Sequence, residues 1–460
     1  MQSQLIDTFK KIVGPEYVLT SEEELLCYSY DATPGFANLP DIVVVPANTQ
    51  EVSRVMALAH SEGIPVYPRG SGTNLSGGTV PLKGGIVLLM TRLASIIDID
   101  AANLVATAEP GVIVADLNKA VEEFGLIYPP DPGTVATATL GGTVSENAGG
   151  LRGLKYGVSK HYVMGLEVVL ADGTVLNTGG KNVKDVAGYD LTKLFTGAEG
   201  TLGVITKITV KLVPAPEARK AMMAVFSDLD NAGRAIAAII ANKIIPATLE
   251  IMDNATIRTV EEYAKVGLPT AAEAVLLIEV DGIPEVVEKE AVKVFEVLKK
   301  SGADGVRVAQ DAAERDKIWA ARRAALPALA KLRPTTFVED ATVPRSEVPA
   351  MIRAVNNIAA KYAVTIGTFG HAGDGNLHPT IVCDLRDAEE MERVYKAMDE
   401  IFATAIKLGG TLSGEHGIGI GKLRYMEDQF GAAGMKAMRA IKKALDPKCI
   451  LNPGKLVGEC

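Results

Sequence analysis

Fifteen of the chain's 45 glycines fall between Gly133 and Gly203. Glycine has no Cβ, reaches positive φ at little cost and lets a second backbone or an anion approach closely. A segment so rich in it cannot be plain helix or plain sheet; it must hold turns, tight crossings or a bound anion. The rest of the 460 residues is ordinary for a folded soluble protein, with 48% hydrophobic and 22% charged residues, which excludes wholesale disorder. At about 150 residues per domain, the length predicts two or more domains. The 47 Lys and Arg against 56 Asp and Glu leave a formal charge of −9. Phosphate-backbone binding needs a concentrated positive field, so nucleic acid is excluded as a partner.

Cys27, Cys383, Cys449 and Cys460 are far apart and form no CxxC. Neither an iron–sulfur cluster nor a thiolate zinc site is encoded, and reduced, incidental thiols in a cytoplasmic protein are expected. Residues Met1 to Val13 lack the pattern of a secretion signal, and no apolar window is long enough to span a membrane.

Residues 1–35 read as a helical leader, with Thr20, Ser21 and the acidic run Glu22 to Glu24 opening a second helix in the manner of a capping box. Residues 36–215 alternate short β-rich runs, such as Ile42 to Val45, with helical stretches such as Thr49 to Glu62, and close at Pro214-Ala215-Pro216. Residues 216–456 then alternate long amphipathic helices with single strands. The whole reads as α+β in two domains.

Two glycine-rich stretches stand out. One runs from Pro68 through Arg69-Gly70-Ser71-Gly72-Thr73-Asn74 to Ser76, Gly77 and Gly78. The other runs from Pro129-Pro130-Asp131-Pro132-Gly133 to Gly141, Gly142 and Gly150. Both read as loops: either nests of backbone N–H for phosphate oxygens or tight turns between strands. No Walker lysine and no strand–GxGxxG–helix unit is present. With Gly165-Leu166-Glu167-Val168-Val169 and Gly197-Ala198-Glu199-Gly200-Thr201-Leu202-Gly203, the series resembles the FAD-binding domain of the vanillyl-alcohol oxidase / p-cresol methylhydroxylase flavoproteins. More narrowly, the chain resembles the branch of D-lactate dehydrogenases, glycolate oxidase FAD subunits and D-2-hydroxyglutarate dehydrogenases, over residues 36 to 456. The resemblance implies an FAD-binding PCMH-type domain followed by an FAD-linked oxidase C-terminal domain, the latter an antiparallel sheet with helices that holds substrate and metal. It implies FAD held by Pro68, Arg69, Gly70, Ser71, Gly72, Thr73, Asn74, Ser76 and Gly77, with the pyrophosphate at Arg69 to Asn74. Pro132, Gly133, Gly141, Gly142, Ser145, Asn147, Gly149, Gly150, Tyr156, Glu199, Gly200, Gly203, Ile205 and Asn452 complete the set. Some relatives attach flavin to a histidine of the first loop; Gly70 and Ser71 stand there, so noncovalent FAD is expected.

Of five histidines, three lie in two glycine-flanked motifs: Gly370-His371-Ala372-Gly373-Asp374-Gly375-Asn376-Leu377-His378 and Gly414-Glu415-His416-Gly417. A hairpin through Gly-Asp-Gly-Asn can bring both imidazoles of the first motif to one point. Two imidazoles and a carboxylate suit Zn²⁺, Mn²⁺ or Fe²⁺, although hydrogen-bonded loop histidines would give the same composition. The resemblance implies that His371, His378 and Glu415 hold a divalent metal, that His416 is the base, and that Arg322 pairs with the substrate carboxylate; a solvated helix charge is the other reading of Arg322. The implied reaction is oxidation of a small 2-hydroxy acid, D-lactate before glycolate or D-2-hydroxyglutarate. An alkyl-ether lipid synthase-like flavoenzyme and a non-catalytic FAD-binding subunit are the alternatives. With no second redox centre encoded, the electron acceptor must be external: an electron-transfer flavoprotein, an iron–sulfur subunit or a quinone. A homodimer or a subunit of a complex is the expected assembly.

Overall fold

The run Ile42-Val43-Val44-Val45 is apolar at every position because both faces of its sheet are covered. The computed structural model, which describes residues 1–459, pairs Ile42–Val44 in parallel with Ile86–Leu89, and Ile86–Leu89 in parallel with Val66–Arg69. Val18–Leu19 adds an antiparallel edge. Successive strand residues point to opposite faces. Ile42, Val44, Val66, Ile86 and Leu88 therefore pack with Phe9, Val52, Val55, Met56 and Ala59, whereas Val43, Tyr67, Val87 and Leu89 form a separate cluster.

The helix Thr49–Glu62 supplies much of the first cluster because its apolar residues recur at i, i+3, i+4 and i+7. The Asn48 side chain caps its start by accepting from Glu51 N, and Gly63 ends it at φ +67°. The leader is less helical than expected: Ser3–Val13 and Glu22–Leu26 are helices, the second opened by the Ser21 and Glu24 capping box, and residues 27–41 are irregular. A five-stranded antiparallel sheet follows, in the order Ile96–Asp100, Val105–Ala108, Val204–Lys211, Val163–Val169, Val175–Gly179.

These elements belong to one compact unit, Met1–Gly149, Val158–Ala215 and the chain from Glu415 onward. The other unit is Gly150–Gly157 with Pro216–Gly414. The division is thus not contiguous in sequence: Glu415, His416 and Asn452 join the first unit, and Gly150 and Tyr156 the second.

The second unit is built on an eight-stranded antiparallel sheet. Its order is Gly305–Val308, Ala218–Phe226, Ala274–Gly282, Thr248–Asp253, Thr365–His371, Asn376–Cys383, Thr335–Val338, with Ala341–Thr342 also pairing to Asn376–Cys383. Helices cover both faces. Leu229–Ala241, Pro284–Lys300, Val348–Tyr362 and Ala388–Lys407 pack on the side of Met222, Leu249 and Ile251. Asn254–Ala264 and Ala312–Ala330 pack on the side of Met223, Met252 and Phe369.

Among the described residues, no helix is long and apolar enough to cross a membrane. Cys27 and Cys383 are free, but Cys449 is disulfide-bonded, so the expectation of reduced thiols does not hold there.

Candidate active site

In the first unit the strand Val66–Arg69 delivers the first glycine-rich loop. Arg69 is buried and spends its guanidinium inside the protein, donating through Nη1 to Tyr30 O at 2.7 Å and Thr79 Oγ1 at 3.1 Å. Gly72, at φ +71°, sits against it: a Cβ there would lie 2.3 Å from Arg69 Nη2. The end of the loop is closed by side chains, with Gly77 N donating to Thr33 Oγ1 and Gly78 N to Asn74 Oδ1. Among the described residues, the backbone N–H groups from Ser71 to Ser76 find no acceptor, and the buried Ser76 hydroxyl has no hydrogen-bond partner. Of this run only Ser76 is buried, and a glycine-rich loop with a series of unpaired N–H groups is a donor set suited to an anionic group.

The second stretch is not all loop. Leu140–Glu146 is a helix whose Thr139 cap accepts from Gly142 N, and Gly141 N donates to Pro110 O. Gly70 crosses Thr139 so closely that a Cβ would stand 2.2 Å from its Oγ1, which brings the two stretches into contact. Asn147 ends the helix in the left-handed region and accepts from Lys160 N, and Ser145 O accepts from Glu199 N. Pro132 and Gly133 lie on the partly exposed approach to this helix. Gly203 and Ile205 lie at and in the strand Val204–Lys211, and Gly200 packs on Pro68 and the Asn452 amide. Asn452 is anchored through Nδ2 to Glu199 O at 2.7 Å.

Three buried groups that sequence reading did not connect lie under this cradle. Glu199 accepts from Ile418 N at 2.8 Å and Gly419 N at 2.7 Å, and Ser76 O accepts from Ile420 N and Gly421 N. The segment that follows His416 is thereby fastened to both Glu199 and the first loop. Lys455 is almost wholly buried and donates to Gly78 O at 2.7 Å; burial pulls its pKa down to about 7 against the attraction of Asp31, Glu146 and Glu199. Burial, reinforced by Glu199, raises Glu146 well above the carboxylate range; Glu199 is raised by burial and partly offset by its two backbone donors. His416 Nε2 stands 3.6 Å from Glu415 Oε1, and a Cβ on Gly149 would meet Glu415 Oε2 at 2.9 Å.

In the second unit the expected hairpin forms. Thr365–His371 and Asn376–Cys383 pair with His371 opposite Asn376 and Phe369 opposite His378. His371 and His378 are then diagonal neighbours on one face, their ring centroids 5.1 Å apart at 87°. His371 Nδ1 lies 2.7 Å from Glu250 Oε1, and His378 Nδ1 lies 3.4 Å from Glu339 O. Both acceptors are oxygens, so Nδ1 of each ring carries a proton, and in the neutral imidazole Nε2 carries the lone pair. Ligand atoms of the two rings lie within 4.8 Å of one another, and the buried Asp340 is equally close to His378. Two imidazoles with preset tautomers fit a divalent metal.

Arg322 is not a solvated helix charge. Its Nε donates to Glu250 Oε2 at 2.6 Å, its guanidinium lies 4.6 Å from the Phe369 ring centroid, and only 12% of the side chain is exposed. Burial would raise the Glu250 pKa, but His371 and Arg322 overcome it and hold the carboxyl below its usual range. Glu250 was missed because an acidic residue inside the short strand Thr248–Asp253, which ends on a second one, Asp253, ordinarily marks a solvent face. Tyr156, expected at the cofactor, donates to Asp281 Oδ2 at 2.8 Å within this unit, and Lys155 pairs with the same carboxylate.

A family model described as FAD linked oxidases, C-terminal domain, matches residues 215–456, and one described as FAD binding domain matches residues 40–179. The chain belongs to the FAD-linked oxidase family. It is 54% identical over 446 residues to the glycolate oxidase subunit GlcD of Bacillus subtilis (strain 168), covering 97% of this chain and 95% of that protein. It is 34% identical over 462 residues to a D-lactate dehydrogenase of Anaerostipes hadrus, covering 98% and 97%. The fold is similar to that of p-cresol methylhydroxylase with substrate bound, at a TM-score of 0.81 and 20% identity over 99% of this chain and 96% of that one. The protein is therefore an FAD-dependent oxidoreductase with an FAD-binding domain and a C-terminal FAD-oxidase domain, as the sequence resemblance implied.

Proposed function

We propose that the protein oxidises a small 2-hydroxy acid, glycolate or D-lactate, to the 2-oxo acid and passes the electrons to an external acceptor. One observation carries this reading: a single buried carboxylate, Glu250, holds both His371 and Arg322, beside His378. Imidazole nitrogens and a guanidinium are the groups needed to seat a divalent metal and a carboxylate next to each other. The relatives named for glycolate and D-lactate support the same substrate class over an ether-lipid synthase.

In this reading the unpartnered N–H groups from Ser71 to Ser76 receive the FAD pyrophosphate, and Arg69 and Gly72 shape the loop rather than contact the cofactor. His371 and His378 would hold a divalent metal, with Glu415 as the third ligand. When bound, FAD would supply a hydride acceptor and a divalent metal would supply Lewis acidity toward the substrate hydroxyl. Arg322 orients the substrate by its carboxylate. His416 takes the hydroxyl proton onto its imidazole as the Cα–H bond breaks, and general-base catalysis of this kind contributes about 10²- to 10⁴-fold. A partner subunit or a mobile carrier takes the electrons, which fits relatives that are named as subunits of a glycolate oxidase.

His416→Ala tests the assignment: the variant retains FAD but loses at least about 100-fold in the rate of flavin reduction by substrate. An unchanged rate would remove His416 from the base role.

A further inference from the structure

Glu250 lies on the central strand Thr248–Asp253, has no exposure to solvent, and stands on a sheet face on which Met252, Phe369 and Leu329 pack beside the two histidines. Burying a carboxylate there is unfavourable unless it is paired and hydrogen-bonded. The antiparallel register pairs Ile251 with Gly370 and Met252 with Phe369, and its continuation sets Glu250 beside His371. Its two oxygens serve two different residues: Oε1 meets His371 Nδ1 at 2.7 Å, and Oε2 accepts from Arg322 Nε at 2.6 Å. Removing either contact leaves a buried charge half-compensated.

We propose that Glu250 is a positioning residue that couples metal binding at His371 to substrate-carboxylate binding at Arg322. The inference rests on the proposed function, since it takes His371 as a ligand and Arg322 as the carboxylate clamp. Two consequences follow from one carboxylate serving both groups. Through Oε1 it fixes the proton on Nδ1 and turns the His371 lone pair on Nε2 toward the metal; carboxylate–histidine support of this kind changes metal affinity about 10- to 100-fold. Through Oε2 it fixes the side of the guanidinium that faces the sheet, which aims the Nη groups. A Gln at this position retains the shape but has only one carbonyl oxygen. It cannot accept from Nδ1–H and Nε–H together, because its amide nitrogen is itself a donor.

The test uses the full-length, FAD-loaded protein and Zn²⁺ or Mn²⁺ alone as probe. Metal Kd is measured by competition with a chromophoric chelator, bound metal is counted by elemental analysis, and KM and kcat are measured for glycolate and D-lactate. Glu250→Gln is expected to raise the metal Kd about 10- to 100-fold and to raise KM even at saturating metal. FAD stoichiometry is expected to stay unchanged. Leu329→Ala, a core truncation on the same face, is the control for destabilisation alone; it lowers the melting temperature and leaves the metal Kd within twofold of the parent. A Glu250→Gln metal Kd within twofold of the parent, in a parent that does bind metal, overturns the role of Glu250 and leaves the proposed function standing. A parent protein that takes up neither metal overturns the metal reading itself, and this inference with it.

Discussion

Replacing Glu199 by Ala isolates the fastening of the segment that follows His416. The buried Glu199 carboxylate accepts from two backbone donors, Ile418 N at 2.8 Å in a partly buried bond and Gly419 N at 2.7 Å in a buried one. A buried N–H left without an acceptor costs about 1–3 kcal/mol, so Ala costs about 2–6 kcal/mol in total, and Gln, which keeps one acceptor oxygen, about half of that. Even the lower limit of about 2 kcal/mol corresponds to about 30-fold in a local opening equilibrium. Hydrogen exchange of the peptide spanning residues 413–423, in FAD-loaded protein, reads this directly. The Ala variant exchanges at least about 30-fold faster at Ile418 and Gly419 and unfolds at lower urea, with Gln between it and the parent. The backbone contacts of Glu199 with Ser145 and Asn452 do not depend on its side chain, so the cradle itself stays intact. Unchanged exchange at those two amides, with unchanged unfolding, would refute the claim that Glu199 holds this segment.

Asp253 is buried, its pKa is raised by burial from 3.8 to about 6, and its Oδ1 accepts from Thr256 N while Oδ2 has no partner. Because the folded state binds the proton more tightly than the unfolded one, the stability contribution is present below about pH 4 and is lost as pH rises through 6. The shift is worth about 3 kcal/mol, so Asp253→Asn, which preserves the helix cap, should be more stable than the parent by up to that amount at pH 8. The gap should close toward pH 4 in urea unfolding, and no gain at pH 8 would contradict the assignment. Gly72→Ala forces a Cβ onto the Arg69 guanidinium and should weaken FAD binding at least tenfold by fluorescence titration. Gly63→Ala, with a similar φ of +67° and open space around it, should lower stability by about 1 kcal/mol and leave FAD binding unchanged. Equal FAD affinity in the two variants would mean that the shape of the loop around Arg69 does not matter to the cofactor.

What could be read from the sequence follows local rules. The helix Thr49–Glu62 carries its own cap and its own apolar stripe, and the hairpin turn is written in Gly373-Asp374-Gly375-Asn376. The helix Leu140–Glu146 was hidden because two of its first three residues are glycines, poor helix formers that are used here for close approach to Pro110 and Thr139. The strand Asn376–Cys383 carries Pro379 and was not recognised as a strand flanked on both sides. Glu250, Lys455 and Glu146 were illegible for a different reason. A charged residue in a short strand, at a helix end or in a glycine-containing loop looks solvated in the sequence, and only long-range packing makes it buried. The histidines were legible because chemistry and turn signals coincided within a few residues; the carboxylate that orients His371 is more than a hundred positions away in sequence.

We propose that this FAD enzyme oxidises 2-hydroxy acids with the help of a metal held at His371 and His378. Anaerobic stopped-flow bleaching of the flavin by glycolate and by D- and L-lactate, in protein stripped by chelator and then reloaded with Zn²⁺ or Mn²⁺, tests it most directly. Fast bleaching by glycolate or D-lactate is expected in the reloaded protein, with a loss of at least about 100-fold in the stripped protein that metal restores. Bleaching by none of these acids, or equal rates in demonstrably metal-free protein, would contradict it.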